Sequence, residues 1–266
     1  QALRSNTTAS NNTAVGYQAG YSNTTGSDGT YVGTQAGYYV TTGLQNTAVG
    51  TATLGRNSAT STTTGSYNSA FGQYSLTALQ SGSYNTGLGY GALQNNTTAS
   101  NNTAVGYRSQ YTNSTGTNNV SVGKQSLNDN TTGSSNTAIG VEALIQNTTA
   151  SGSTAVGYQA GYANTTGTRL TALGLGAAFS NTTGGYNTAL GYQALRSNQT
   201  GESNVSVGEN SMYYNTGSSN VAVGRQALVS NTTASDNTAV GYQAAYANTT
   251  GAENTAIGKR AFYSNT

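Results

Sequence analysis

Asn12-Thr13-Ala14-Val15-Gly16 is a pentapeptide that returns unchanged at 46–50, 102–106 and 237–241, with close variants in between. Its final glycine occurs fifteen times at intervals of 17 residues, apart from one interval of 22 (Gly50 to Gly72) and one of 16 (Gly208 to Gly224). A short fixed period is the signature of a repeat architecture. We therefore predict one array over residues 1–266, with about fifteen units and no second domain.

Both ends of the chain cut through a unit. Residues 1–6 match the middle of the unit at 193–198, and the last residues, Asn265-Thr266, stop partway through another. A stand-alone repeat protein needs polar capping units at its ends, and neither end carries one. We interpret the sequence as a window from a longer array.

Numbering each unit from Asn12 as position 1 gives an apolar residue at position 4 in every copy, and Thr, Val or Ser at position 2. Residues two apart share a face of a strand, so these positions predict a short strand whose residues at positions 2 and 4 point inward. Residues such as 192–195 predict a second extended segment, and runs such as 181–184 (Asn-Thr-Thr-Gly) are typical of turns. Repeating this pattern predicts an all-β parallel β-solenoid with one coil per unit.

Positions 9 and 10 vary together. Where position 9 is Gly or Ala, position 10 is aromatic, as in Gly161-Tyr162, and where position 9 is Leu, position 10 is not, as in Leu195-Arg196. Because protein interiors tolerate empty space poorly, this pattern suggests one cavity that is filled from either position. Met212-Tyr213 does not follow the rule.

The amino-acid composition excludes most catalytic and metal-binding chemistry. The chain has no Cys, no His, no Pro and only 6% charged residues, so it lacks thiol and imidazole groups, and its seven acids are scattered. We expect no catalytic residues, no metal site, no cofactor and no enzymatic activity. A net charge of +2 spread along the chain argues against a nucleic-acid partner, and no apolar run is long enough to insert into a membrane.

A single coil would have a small apolar core. One Val-like residue, one Ala and one Leu or Tyr per unit bury little area compared with the entropy of ordering 17 residues. Association of several chains about a common axis would bury both faces of the coil. We therefore expect self-association, most simply a homotrimer, with a longer filament as the alternative.

The runs Asn220 to Ala227 (Asn-Val-Ala-Val-Gly-Arg-Gln-Ala) and Asn136 to Gly140 (Asn-Thr-Ala-Ile-Gly) resemble the head repeats of YadA-like trimeric autotransporter adhesins. They are also similar to Asn-Thr-Ala-(Ile/Val)-Gly-Tyr-x-Ala-Leu repeats of phage tail fibres and of surface proteins that end in an intramolecular chaperone domain. The resemblance implies a left-handed parallel β-roll, three chains wide, used for attachment outside the cell. The 17-residue unit is longer than that of the adhesin head.

These observations favour an extracellular structural fibre segment, the shaft or head of an adhesin-like or tail-fibre-like protein on a cell surface or virion, acting as a rigid spacer. The first alternative is a module whose side binds a glycan, a matrix or a cell-surface receptor. The second is an ice-binding solenoid, since thin solenoids can display regular rows of Thr. Against ice binding, the inward direction expected for Thr at position 2 would hide that row.

Two sets of residues are candidate surface sites. Tyrosines at position 6 could form an exposed strip that stacks on sugars, or they could pack between coils or chains; these are Tyr17, Tyr107, Tyr158, Tyr192 and Tyr242. Asparagines that begin the Asn-Thr-Thr turns satisfy the N-glycosylation acceptor pattern, or they could form turn-stabilising ladders; these are Asn23, Asn130, Asn147, Asn164, Asn181, Asn231 and Asn248.

Overall fold

The computed structural model describes residues 1–55 and 62–264. It is an all-β parallel β-solenoid of about 14 turns with a 17-residue repeat, and the described residues contain no helix. The predicted fold class and the predicted coil length are therefore confirmed. The sequence responsible for the 22-residue interval, 56–61, lies outside the described residues.

Each coil contains one strand of three residues, at positions 2 to 4 of the unit. The chain divides into two compact units, Gln1–Ser135 and Asn136–Thr266. The first unit holds β1 Thr13–Val15, β2 Thr30–Val32, β3 Thr47–Val49, β4 Ser69–Phe71, β5 Thr86–Leu88, β6 Thr103–Val105 and β7 Val120–Val122. The second holds β8 Thr137–Ile139, β9 Thr154–Val156, β10 Thr171–Leu173, β11 Thr188–Leu190, β12 Val205–Val207, β13 Val221–Val223, β14 Thr238–Val240 and β15 Thr255–Ile257.

Within each unit, consecutive strands pair in parallel and in register, so that equivalent positions stack. Thr171 pairs with Thr188, Ala172 with Ala189 and Leu173 with Leu190, and the other pairs repeat this pattern. Neighbouring strands of a sheet lie about 4.8 Å apart, which is therefore the rise of one coil.

The strands face the opposite way from our expectation. Position 3 points inward: Ala155 is fully buried, whereas Val156 at position 4 is 37% exposed and Thr154 at position 2 is half-buried. The prediction that positions 2 and 4 form the core is wrong. The strand contributes mainly a row of alanines to the interior, and the larger buried side chains, such as Leu195, come from position 9.

The second predicted extended segment is a series of turns. Residues at positions 7 and 9 adopt left-handed backbone conformations, as at Gln193 (φ 50°) and Leu195 (φ 53°). A left-handed conformation at a non-glycine residue costs on the order of 1–3 kcal/mol and occurs only where the surrounding structure compensates for it. Here that compensation includes burial, because Leu195 is completely enclosed.

Positions 9 and 10 do not fill one cavity. Position 9 points inward and position 10 outward, where aromatic rings of successive coils stack, as do Tyr162 and Phe179 with ring centroids 4.9 Å apart. A Cβ added at Gly161 would lie 2.9 Å from Leu144 Cδ2 and 3.1 Å from Leu170 Cδ2. The space left by a glycine at position 9 is therefore filled from the adjacent coils.

The repeated glycine at position 5 is required by close backbone contact. Gly157 has φ +137°, and a Cβ on it would lie 2.6 Å from the carbonyl oxygen of Gly174 in the next coil. Real Cβ atoms do not approach backbone oxygen so closely, and L-residues rarely adopt this φ. Each coil can stack on the next only if this residue has no side chain.

Candidate functional site

The position-6 tyrosines lie on the surface beside the outward side chains of the strands. Tyr17 is 63% exposed, Tyr107, Tyr158 and Tyr192 are also exposed, and Tyr242 is half-buried. The outward side chains at positions 2, 4 and 6 together form what we call the strand face. Its position-4 row is apolar in every coil, with Val, Ile, Leu or Phe.

The tyrosines do not form a continuous strip. Between Tyr158 and Tyr192 the same row carries Leu175, and beyond Tyr192 it carries Glu209 and Arg225, which form an exposed ion pair with Nε to Oε2 at 3.2 Å. In the first unit, Tyr107 stacks on Tyr90 with ring centroids 5.5 Å apart. Tyr90 is a member of the row that our sequence analysis did not include, although its position in the repeat could have identified it.

The candidate glycosylation asparagines are interior residues. All seven are fully buried at position 12 of the coil. Asn181 is typical: its Nδ2 donates to Asn164 Oδ1 at 2.9 Å and to the Gly184 carbonyl at 2.9 Å, and its Oδ1 accepts from Asn198 Nδ2 at 2.7 Å. A glycan on Nδ2 would have no space and would displace these hydrogen bonds. The structure therefore contradicts glycosylation of the folded chain at Asn23, Asn130, Asn147, Asn164, Asn181, Asn231 and Asn248, and supports the ladder alternative.

A second asparagine ladder runs through position 1. Asn85 Nδ2 donates to the Ala99 carbonyl at 2.9 Å, and Asn85 Oδ1 accepts the backbone N–H of Asn102 at 3.1 Å. Each of these amides therefore closes its own coil and holds the next one. Buried polar groups cost free energy unless they are hydrogen-bonded, and most amides of both ladders meet that requirement. The exceptions in the position-12 ladder are Asn198 Oδ1 and Asn248 Oδ1, which are buried without a partner.

An outer row at position 10 combines aromatic rings with arginines. In the second unit, the Arg196 guanidinium lies between two rings, 5.0 Å from the centroid of Phe179 and 5.6 Å from that of Tyr213. Arg260, from position 7, lies 5.3 Å from the ring centroid of Tyr263 in this row and 5.9 Å from that of Tyr242 at position 6. Sequence reasoning missed this arrangement because it placed the aromatic residue in the interior.

One cavity in the second unit opens beside this row. Its volume is about 250 Å³. The residues that line it belong to positions 7, 10 and 11 of four successive coils; they are Gln193, Asn210, Tyr213, Tyr214, Gln226, Val229 and Tyr246. The lining therefore combines three primary amides with three phenol rings.

One buried phenol has an altered acidity. Tyr31 occupies position 3 of its coil, where most coils carry Ala, and burial raises the pKa of its phenol to about 12. Residues 1–55 and 62–264 contain no group of three or more His, Cys, Asp or Glu placed to hold a metal ion. A search of the same residues for a helix that could cross a membrane finds none.

Comparison with known proteins gives no assignment. No protein-family model matches the chain, and no curated protein matches it. The resemblance to adhesin-head and tail-fibre repeats therefore remains a prediction from the repeat motif.

Proposed function

We propose that this chain is a structural fibre segment that is assembled from copies of itself and acts as a rigid spacer for attachment outside the cell. The observation that carries the proposal is the apolar strand face. In each unit, successive coils place Val, Ile, Leu or Phe at the same outward position, and many of these side chains are more than one-third exposed. Extended apolar surface of this kind is typical of an interaction site.

Association of chains through the strand face would supply the burial that a single coil lacks. Each coil's interior contains mainly one or two alanines and one larger side chain, such as Ala189, Ala194 and Leu195. Removing apolar surface from water contributes about 25 cal/mol per Å², and every coil would add a similar amount. A regular array presents this surface at a constant spacing, so identical chains can match it coil by coil.

The finer part of the proposal rests on the repeat motif. Its resemblance to adhesin-head and tail-fibre repeats supports three chains per assembly and a place on a cell surface or virion. The role of such a segment is mechanical, because it separates an attachment tip from its base. We expect no enzymatic activity from it.

Self-association is tested by measuring the mass of the purified chain with light scattering. We expect a mass three times that of the 26.9 kDa chain. The double variant Val156→Lys/Leu190→Lys places two charges on the strand face and should give single chains that keep a β-type circular dichroism spectrum. The control Thr166→Lys/Thr183→Lys changes two exposed turn residues and should leave the assembly intact. A wild-type chain that is monomeric at high concentration would contradict the proposal.

A binding role for the side of the coil is the second candidate, because the position-6 tyrosines are exposed. They lie beside the apolar row, so a glycan or matrix would compete with self-association for the same surface. Binding of the isolated chain to a glycan array, lost when Tyr158 and Tyr192 are replaced by Ala, would favour this candidate. Function that depends on fibre length without glycan binding would favour the spacer.

One observation favours the ice-binding alternative. Thr at position 2 points outward, as at Thr154, Thr171 and Thr188, so our argument that this row is hidden is wrong. The same face alternates these threonines with larger apolar side chains at position 4. We expect no thermal hysteresis from the purified chain, and a large value would favour the ice-binding alternative.

A further inference from the structure

The position-10 row of the second unit is a ladder of stacked flat groups with one gap. Tyr162 and Phe179 stack with centroids 4.9 Å apart, Arg196 lies between Phe179 and Tyr213, and Tyr246 stacks on Tyr263 with centroids 5.0 Å apart. Between Tyr213 and Tyr246 the row carries Val229, which is too short to reach the ring level. Rings two coils apart are separated by about 10 Å, twice the rise of one coil.

The neighbouring slot shows what such a gap accepts. Between Phe179 and Tyr213, also two coils apart, the guanidinium of Arg196 lies 5.0 and 5.6 Å from the two ring centroids. A flat group about one ring thick therefore fits between two rings of this row. The slot above Val229 lies between Tyr213 and Tyr246, which are also two coils apart. The Val229 side chain is too short to fill it.

Polar groups surround the open slot. Val229 is 8% exposed and forms the apolar floor of the cavity, whereas Gln193, Asn210 and Gln226 contribute primary amides from position 7. Asn210 Oδ1 is buried and has no hydrogen-bond partner. Tyr214 adds a third aromatic wall, since its ring meets that of Tyr213 edge-on with centroids 4.6 Å apart.

We propose that this slot, with Tyr213 and Tyr246 as walls and Val229 as floor, binds one hexopyranose ring of a neutral glycan. A pyranose ring has apolar C–H faces that stack on aromatic rings and hydroxyl groups around its edge. The amides can donate to and accept from those hydroxyls, and Asn210 Oδ1 would gain the donor that it lacks. A cavity of about 250 Å³ is smaller than a typical drug-sized site, which favours a single ring.

The charges around the slot favour a neutral ligand over a second guanidinium. Arg196 already stacks on the other face of Tyr213, so a further cation would be placed near a like charge. No carboxylate lines the cavity, and Glu209 in the same coil as Asn210 is paired with Arg225. The site uses positions 7, 10 and 11 rather than the strand face, so it is independent of the proposed self-association.

Saturation-transfer NMR on the intact chain tests the proposal with methyl glycosides of glucose, galactose, mannose and N-acetylglucosamine as probes. We expect at least one of them to bind with a dissociation constant on the order of 1 mM, as a one-ring ligand allows. Val229→Tyr would continue the ring stack, fill the slot and weaken binding by about tenfold or more. The preceding coil already has a tyrosine at position 10 after a large apolar residue at position 9, as Met212-Tyr213. A tyrosine in place of Val229, after Leu228, should therefore be compatible with the fold.

The control variant Tyr162→Ala removes a ring of the same row that lies outside the slot, and it should leave binding unchanged. Asn210→Ala should weaken binding several-fold without filling the slot, which separates lost recognition from blocked access. The proposal is overturned if none of the four sugars binds, if Val229→Tyr binds as well as the wild type, or if methylguanidinium binds in preference to the sugars. Loss of self-association by the Lys variants of the strand face would not change these results.

Discussion

Tyr31 shows how single residues adapt the repeat. Among the described residues it is the largest side chain that is fully buried. Three glycines surround it at positions that usually carry side chains, and Cβ atoms added at Gly20, Gly29 and Gly37 would lie 2.9, 2.6 and 2.2 Å from its ring or hydroxyl. At position 1 of its coil, Gly29 stands where most coils have a ladder Asn. The Tyr31 hydroxyl is buried without a hydrogen-bond partner.

This phenol makes stability sensitive to alkaline pH. Burial raises the pKa of Tyr31 from 10.0 to about 12, so the neutral form is favoured in the folded chain. The free energy of unfolding that depends on neutral Tyr31 is fully present below pH 10. It falls by about 3 kcal/mol in total as the pH rises through 12. Tyr31→Phe should remove this part of the alkaline loss in unfolding titrations between pH 9 and 12.

Tyr31→Phe should also raise stability at pH 7 by about 1 kcal/mol, because it removes a buried hydroxyl that has no partner. Tyr158→Phe, which changes an exposed tyrosine, should leave the stability at pH 7 unchanged. An alkaline profile that is identical in wild type and Tyr31→Phe would show that this phenol is not buried.

The position-5 glycines give a second test of the fold by single substitutions. Gly157→Ala would force a Cβ against the Gly174 carbonyl and hold a non-glycine residue at φ +137°, so we expect a loss of at least about 3 kcal/mol in urea unfolding. The control is Gly152→Asn, where the φ is +71° and a Cβ would be 3.7 Å from Arg169 Cγ. Asn101 and Asn118 occupy the equivalent position in other coils, so stability should be nearly unchanged. Equal effects of the two substitutions would argue against this stacking.

At the scale of the element, the asparagine ladders hold each turn to its neighbours. Asn181→Ala would remove two donated and two accepted hydrogen bonds and leave partners such as the Gly184 carbonyl without their donor. We expect a loss of about 3 kcal/mol or more, measured by urea unfolding. Thr183→Ala, an exposed substitution two residues away, should cost less than about 0.5 kcal/mol. A tolerated Asn181→Ala would mean that the ladder contributes little.

The elements that could be predicted from sequence are those that every coil repeats. The strand at positions 2 to 4 follows from Thr-Ala-Val and its variants, and the coil length from the glycine interval. Which face of the strand points to the interior could not be predicted from hydrophobicity alone. Position 4 is apolar in every coil and was assigned to the interior, whereas Ala138, Ala155 and their equivalents at position 3 lie there.

The turns were predicted less well because their geometry depends on contacts between coils. Gln193 and Leu195 belong to residue types that do not favour left-handed conformations, so nothing local indicates that the segment bends. Leu144 and Leu170, which are 17 and 9 residues away in the sequence, fill the space that Gly161 leaves. Our interpretation compared only the adjacent positions 9 and 10 and therefore missed these contacts. The sugar slot also depends on a difference between coils, because position 10 carries Val229 where the two flanking coils carry Tyr213 and Tyr246.

For the molecule as a whole, one fact connects fold and function: each strand turns its small position-3 side chain inward and its larger apolar position-4 side chain outward. In repeat proteins each unit contacts mainly its neighbours, so this choice is repeated along every coil. The strand face then becomes a surface that matches identical chains. The turns at positions 7 to 11 supply polar and aromatic groups for a different ligand.

Disulfide trapping measures the stacking of coils directly, because the chain has no cysteine of its own. Val156 and Leu173 are paired across adjacent strands, so their Cα atoms lie about 4.8 Å apart, within the range that a disulfide spans. The pair Val156→Cys/Leu173→Cys should oxidise rapidly within one chain, whereas Val156→Cys/Leu190→Cys, two coils apart, should not. Equal behaviour of the two pairs, or no intramolecular disulfide in the first, would contradict one coil per 17 residues.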